Sequence, residues 1–404
     1  MKLVRTFHPV GHGAFYTEKF YSEETDSSPF FSVVYDCGCF ETAKSQNSLK
    51  GYQKRINDLI DNSFSKKETI DALFISHLHT DHILGVDYLL KRCEVKRIIL
   101  PLLSEEDNRA MLINNLIDLY PDDSDDTDPN DGSVLDVVIN CWNSIQSFGN
   151  KTLVRSFEEN NAVQDKIVSL EEMTQEIDSG IRIQTPLDGF FQWEYIPFNS
   201  PVKETKANDL KNRLMKLIPG LYSTDGKLDP EELKKFLCSN LISTIKQEYK
   251  SVFPGENEYS MTLLSGLPEE CRKTCERSCE KTEATIRRYC SLNCLYMGDY
   301  ELKNVDYWSA LWKCYKRRFK YIGLVQVPHH GSENNYNDMF YRRPLPNGEN
   351  ALSKICIISA GKDDKYLHPD KVVIDSIQKN NCVPVIVSED PKTIQKFTYM
   401  LRDY

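Results

Sequence analysis

The segment Asp71–His82, DALFISHLHTDH, limits what this chain can fold into more than any other. A short apolar run, DALFIS, reads as a buried strand. It leads directly into His77-Leu78-His79-Thr80-Asp81-His82, which places four possible metal ligands within six residues. Side chains alternate along extended backbone, so His77 and His79 point to the same side. Asp81 and His82 then fall at the turn into a helix, whose apolar positions Ile83, Leu84, Val86, Leu89 and Leu90 recur at helical spacing. Imidazole and carboxylate are the donors that suit zinc, manganese or iron, and this spacing lets one loop serve two adjacent ions. Three of the chain's eight histidines fall in this window, which argues against a chance cluster on the surface.

Residues 2–10, 30–36 and 96–100 read as further strands around this motif. The strand–helix–strand rhythm is that of α/β architecture. Two later segments complete a constellation. Met297-Gly298-Asp299 ends one strand, and Val327-Pro328-His329-His330-Gly331-Ser332 ends another. Strand ends are where α/β folds build their sites, and a carboxylate there can bridge two cations.

Together His77-x-His79-x-Asp81-His82, Gly298-Asp299 and His330 resemble the metallo-β-lactamase fold hydrolases. The likeness is closer to the ComEC-type branch, related to a bacterial DNA-uptake protein. Val10-Gly11-His12-Gly13, Asp36-Cys37-Gly38, Asn257, Ser260, His329-His330-Gly331-Ser332 and His368-Pro369 fit that branch. The resemblance implies an α/β fold, a four-layer αββα sandwich, as a single domain over residues 1–404. Insertions are expected at about 104–190 with an acidic loop, 202–253 as a helical lobe, and 266–290 as a Cys-rich stretch. It also implies two divalent metal ions, zinc or manganese. The first would be held by His77, His79 and Asp299, and the second by Asp81, His82, Asp299 and His330. No histidine lies between His82 and Asp299, where the superfamily usually has a third ligand for the first ion, so partial occupancy is expected there. Asp36 is expected to hydrogen-bond a ligand histidine, and Asp81 to orient the attacking hydroxide while acting as a ligand. His329 or His368 would protonate the leaving oxygen, with His368 preferred. His12 stands where the branch often has glutamine and is expected to pack.

The net charge of −10 excludes a protein whose whole surface grips nucleic acid, but not a local basic groove. Residues 306–320 read as an amphipathic helix with Trp308, Leu311, Trp312, Tyr315 and Phe319 on one face. Lys316, Arg317 and Arg318 on that stretch are the expected substrate contacts, although such residues serve equally as a solvated face. The function expected from the resemblance is metal-dependent phosphodiester hydrolysis, as a phosphodiesterase or nuclease. A small-molecule hydrolase acting on cyclic nucleotides or lactones is the alternative, and so is a metal-bearing subunit of a bacterial defence or signalling complex. Nucleic acid or another phosphodiester is the expected partner.

Of the 13 cysteines, Cys271, Cys275, Cys279, Cys290 and Cys294 follow a C-x3-C-x3-C-x10-C-x3-C pattern. A structural metal, disulfides or unligated thiols all remain open for them. Residues 121–132 hold six Asp and read as a solvated loop. The N-terminus lacks the apolar stretch of a signal peptide, and no apolar run is long enough to span a bilayer. No membrane contact and a reducing, cytoplasmic setting are the expectation.

Overall fold

A computed structural model describes residues 1–40, 46–119, 133–158, 166–185, 187, 192–201, 206–223, 228, 230–237, 241–253, 260–268, 292–338, 354–362 and 367–401. Its strands, numbered in chain order, form two large sheets and one short pair. The first sheet has the order β10 (Glu176–Ile177), β8 (Lys151–Val154), β7 (Ile98–Pro101), β5 (Ala72–Phe74), β3 (Phe31–Cys37), β2 (Phe15–Tyr21), β1 (Lys2–Phe7), β18 (Gln395–Met400). The second has the order β17 (Val383–Val387), β16 (Ile355–Ser359), β15 (Ile322–Gln326), β14 (Asn293–Tyr296), β13 (Thr262–Gly266), β12 (Glu194–Phe198), β11 (Arg182–Gln184), β9 (Ile167–Ser169). The pair is β4 (Thr69–Ile70) with β6 (Glu94–Val95).

The layers follow from the two-residue period of a strand. Ala72 and Phe74 of β5 face the second sheet, while Leu73 faces helices. Val33 and Tyr35 of β3 likewise face inward and Val34 outward. In the second sheet Leu263, Leu324 and Ile357 meet the first sheet, and Leu264, Val325 and Ile358 meet helices. Strands covered on both faces read as continuous apolar runs, and here they produce three cores and four layers, αββα. One outer layer holds helices Gln46–Ser63, Val86–Arg92, Glu105–Ile117 and Ser133–Ser147, and the other holds Val305–Tyr315 and Lys371–Lys379. None of the described helices is long and apolar enough to cross a membrane.

The stretch 104–190, expected as an insertion, supplies strands to both sheets: β8 pairs with β7, and β11 with β12. Its helix Glu105–Ile117 is buried by Ala110, Leu112, Ile113 and Leu116. Within 202–253, helices Ala207–Leu217, Pro230–Leu237 and Ile242–Val252 send Leu210, Leu214, Leu233, Leu237 and Ile245 into the same helical core. The acidic run 121–132, Asn257, and Cys271, Cys275, Cys279 and Cys290 lie outside the described residues. Of the cysteine cluster, Cys294 lies within the described residues. It is a free thiol on β14, fully buried between the sheets, and burial pushes it up to about 12.

Candidate metal centre

The site is assembled at the C-terminal ends of β3, β5, β14 and β15. β5 releases the loop His77–Thr80, and a single helical turn, Thr80–Ile83, presents Asp81 and His82. Gly13 and Gly38 let this turn approach: an added Cβ at either would lie 2.5–2.6 Å from the Asp81 carbonyl oxygen. Gly298 has φ +52, and a Cβ there would meet the Ser260 Oγ at 2.5 Å, so glycine is what allows Asp299 to turn inward. His329 and His330 both adopt left-handed backbone, φ 47 and 54, which side-chain-bearing residues rarely do.

Two donor groups result. Asp81, His82, Asp299 and His330 offer ligand atoms within 4.8 Å of one another, and so do His77, His79 and Asp81. His82 Nε2 lies 3.2 Å from Asp81 Oδ2 and 3.3 Å from Asp299 Oδ1. His330 Nε2 lies 3.1 Å from Asp81 Oδ2, and His77 Nε2 lies 3.7 Å from Asp299 Oδ2. The structure thus joins His77 and His79 through Asp81, and Asp299 approaches His77.

Supporting residues fix the tautomers. His82 Nδ1 contacts Asp36 Oδ2 at 2.8 Å, and Asp36 also accepts from the Ser76 amide and hydroxyl, each at 2.7 Å. His77 Nδ1 lies 3.0 Å from that Ser76 hydroxyl. His330 Nδ1 donates to the Ser359 carbonyl at 2.9 Å. Metal-binding histidines are held in this way, with the outward nitrogen anchored and the inward one left to the ion.

Electrostatics agree. Burial pushes the Asp299 carboxyl up, but His329, His82 and His77 outweigh it and hold it well below the usual carboxylate range. The same balance, won by His82 and His330, holds Asp81 low. Burial, aided by His82 and His79, pushes the His77 imidazole well down, leaving it a neutral donor. Burial also opposes a charge on His82, but Asp81, Asp299 and Asp36 overcome it and raise that imidazole. The His77 Nε2, His82 Nε2 and Asp299 Oδ1 atoms are buried with no hydrogen-bond partner. Buried polar atoms are rarely left so. Borderline imidazole and hard carboxylate donors turned on one spot fit a divalent transition ion.

His368 lies beside the centre, its ring 6.1 Å from that of His329 and its Nδ1 3.6 Å from Asp370 Oδ2. The His12 ring packs 3.7 Å from the His330 ring. The basic stretch is corrected. Arg318 is buried and its Nε donates to Glu194 at 3.0 Å, a carboxylate also held by Arg182 at 2.5 Å. It is therefore committed to the fold. Lys316 and Arg317 are exposed, but they precede β15, whereas His329 and His330 follow it. That strand's five residues put roughly 16 Å between its ends at ~3.3 Å per residue. Arg342 and Arg343 lie outside the described residues.

Several supports were not apparent from sequence. Gln326 Oε1 accepts from the Met297 and Gly298 amides at 2.6 and 2.7 Å, and its Nε2 donates to the Val327 carbonyl at 2.7 Å. A polar residue closing the apolar strand IGLVQ was the available signal. Asn115, from helix Glu105–Ile117, donates to the Leu78 carbonyl at 2.5 Å and accepts from the Thr80 amide at 3.1 Å. Asn335 donates to the Asp299 carbonyl at 3.1 Å. Nothing local marked these two asparagines. Ser260, which fitted the branch pattern, accepts from the Asp299 amide at 3.0 Å.

Comparison with known proteins gives a family match over part of the chain and distant structural ones. Residues 31–142 match the model of the metallo-beta-lactamase superfamily, a span that includes Asp36 and the His77–His82 motif and ends before Asp299. No curated protein matches the chain. Among solved structures it is similar to Rm3 metallo-beta-lactamase at 10% identity, covering 81% of this chain and 79% of that one, with a TM-score of 0.24. A likeness that weak carries no argument. The layered fold is of the metallo-β-lactamase type. The superfamily match implies a metal-dependent hydrolase, and the His/Asp groups can hold metal.

Proposed function

We propose that this chain is a metal-dependent phosphodiesterase of the ComEC-type branch, using two divalent cations. The observation that carries the reading is the pair of donor groups sharing Asp81, with buried donor atoms on His77, His82 and Asp299 turned inward. His82, His330, Asp81 and Asp299 would hold one ion, and His77 and His79, with the same carboxylates, the other. When bound, such a pair supplies Lewis acidity and a nucleophilic water at neutral pH, and suits the anionic oxygens of a phosphodiester. Asp36 keeps the His82 ring oriented through its 2.8 Å contact. Asp81 orients the nucleophile. His368, at the edge of the centre and facing Asp370, gives a proton to the leaving oxygen.

Zinc and manganese are the metals that fit the donor set. Nuclease activity is the polymer form of this reading. A small phosphodiester is the second form, favoured because Lys316, Arg317 and Arg318 stand across β15 from the centre. The test is hydrolysis of bis-p-nitrophenyl phosphate, single- and double-stranded nucleic acid, cyclic nucleotides and a lactone panel, with Mn²⁺ or Zn²⁺. Turnover of the nitrophenyl diester that disappears on chelation is expected. Turnover of lactones alone would sink the phosphodiester reading, and turnover of nothing would favour a binding subunit.

A further inference from the structure

We propose that Cys382 and Cys356 form an oxidation site, in which a hydroperoxide converts Cys382 to its sulfenic acid and the Cys356 thiol captures it as a disulfide. The site stands apart from both donor groups and does not rest on the hydrolase reading. Cys356 is three residues before Ser359 on β16, so roughly 10 Å of strand, at ~3.3 Å per residue, separates it from the carbonyl that anchors His330.

The two thiols meet because of how β16 and β17 run. The strands are parallel, with Ile355 opposite Val383 and Cys356 opposite Pro384, and the Val383 amide donates to the Lys354 carbonyl at 2.9 Å. Cys382 therefore enters β17 beside Lys354. Lys354 and Cys356 are two residues apart and share a face of the sheet. Cys356 and Cys382 both pack into the core under helices Val305–Tyr315 and Lys371–Lys379. There the Cys356 thiol and the Lys354 amide both hydrogen-bond to the Cys382 sulfur. Cys382 keeps 7% of its surface and Cys356 none, so an oxidant meets Cys382 first.

Lys354 is a second and independent observation. It is buried, and its ammonium donates to the Ile322 carbonyl at 2.8 Å. Buried ammonium groups are ordinarily paired with a carboxylate. Burial pushes this one down, and among the described residues the groups that oppose burial are the Cys382 and Cys356 thiols. A thiolate is therefore the counter-charge that the chain supplies. At Cys382 the hydrogen bond from Cys356, backed by the Lys354 amide and ammonium, outweighs burial and brings the thiol down to about 6. The Asn380 carbonyl, 3.5 Å from the sulfur, serves the protonated form. Burial holds the Tyr336 phenol, which also faces the pair, up and neutral. Cys294 and Cys314, with no such neighbours, are pushed up to about 12 by burial. A thiol beside a cation, partly exposed and next to a second thiol, has the surroundings of a redox-reactive cysteine.

The chemistry balances with a hydroperoxide as oxidant. The Cys382 thiolate attacks one peroxide oxygen, the O–O bond breaks, and the other oxygen leaves as alcohol or water after taking a proton from solvent. The Cys356 sulfur then attacks the sulfenic sulfur. The S–S bond forms, and the hydroxyl leaves as water with the Cys356 proton, so the two sulfurs have given two electrons to the peroxide.

The experiment treats the reduced full chain with iodoacetamide over a range of pH, and separately with limiting hydrogen peroxide, and reads each cysteine by peptide mass spectrometry. Alkylation of Cys382 should rise with a midpoint near pH 6, and peroxide should produce a Cys356–Cys382 disulfide. Lys354→Met should slow alkylation of Cys382 at neutral pH on the order of 10-fold and move the midpoint up, whereas a lysine that only packs would leave the midpoint in place. Cys356→Ser should abolish the disulfide and leave a sulfenic acid that dimedone traps. A Cys382 midpoint in the ordinary thiol range of about 8.5, peroxide that spares Cys382, or a sulfenic acid that persists in the wild type would each overturn the proposal. These wild-type readings decide it even if a variant fails to fold.

Discussion

The Arg5–Glu18 cluster and the Asp81–Asp299 cluster are both buried polar groups made by strands of the two sheets, but they are satisfied differently. Glu18 Oε1 accepts from Arg5 Nε at 2.7 Å and the Tyr296 hydroxyl at 2.8 Å. Its Oε2 accepts from the Tyr195 hydroxyl and the Ser265 hydroxyl, each at 2.7 Å. Arg5 Nη1 donates to the Leu292 carbonyl at 2.7 Å. Each charge there meets its opposite or a donor supplied by the chain. At the other cluster, three carboxylates and several imidazoles converge, yet His77 Nε2, His82 Nε2 and Asp299 Oδ1 have charged neighbours but no hydrogen-bond partner. The first arrangement closes the interface between the sheets. The second can hold a cation, and buried donor atoms turned inward are the physical mark of that difference.

Breaking the closed cluster should have the largest effect, and it should fall on stability. Glu18→Ala leaves the Arg5 guanidinium buried without its counter-charge, which should cost about 3–5 kcal/mol of unfolding free energy. Denaturant unfolding measures it, and metal content of the folded fraction should be unchanged. A mild effect would mean that the sheets do not depend on this pair.

Breaking the open cluster should do the opposite. Asp299→Asn removes a charge turned toward both donor groups, so metal content and hydrolysis of bis-p-nitrophenyl phosphate should fall on the order of 10²-fold. The melting temperature of the metal-stripped protein should hardly move, and added Mn²⁺ should raise it less than in the wild type. Wild-type metal content in this variant would erase the contrast between the clusters.

Asn115→Ala tests how far the open cluster depends on the outer layer. It releases the Leu78 carbonyl and the Thr80 amide, so metal affinity should drop about 10-fold while the ligands themselves remain. Equilibrium dialysis checks this, and unchanged affinity would show that the loop holds its own shape.

The smallest expected effect is a pH dependence outside both clusters. Burial pushes the His8 imidazole down to about 3. The unfolded chain, with its histidine near 6.5, then binds a proton that the native state refuses. His8 therefore leaves stability intact well above pH 6.5 and takes it away as pH falls toward 3, about 1 kcal/mol for the unit from pH 6.5 to 5.5. Unfolding free energies at pH 6.5 and 5.5 should show this slope, and His8→Gln should flatten it.

Much of the centre was legible because its chemistry is local. His77, His79, Asp81 and His82 share one loop, and that loop follows an apolar run recognisable as a strand. Gly298-Asp299 and His329-His330 likewise follow apolar runs, and Ser76 and Asp36 adjoin strands already readable. The three supporting amides were less visible. Asn115 and Asn335 are ordinary polar residues until the fold brings them to Leu78 and Asp299, and Gln326 was marked only by its place in an apolar strand. The basic stretch misled for a related reason. Lys316, Arg317 and Arg318 are close to His329 in sequence, but β15 runs between them, and Glu194 from β12 claims Arg318.

The four layers came from the resemblance. By itself, then, the sequence determined which donors exist, that they stand at strand ends, and that strands alternate with helices in an α/β chain. These are consequences of residue chemistry and of periods of two and 3.6, which act over a few residues. Only the tertiary structure decided which donors meet. Asp81 joins both groups, Asp299 divides its two oxygens between His82 and His77, and Glu18 finds three donors across the sheets besides Arg5 in its own, because these contacts join residues up to 278 positions apart. Their geometry is set by how the two sheets pack, and no local pattern carries that information.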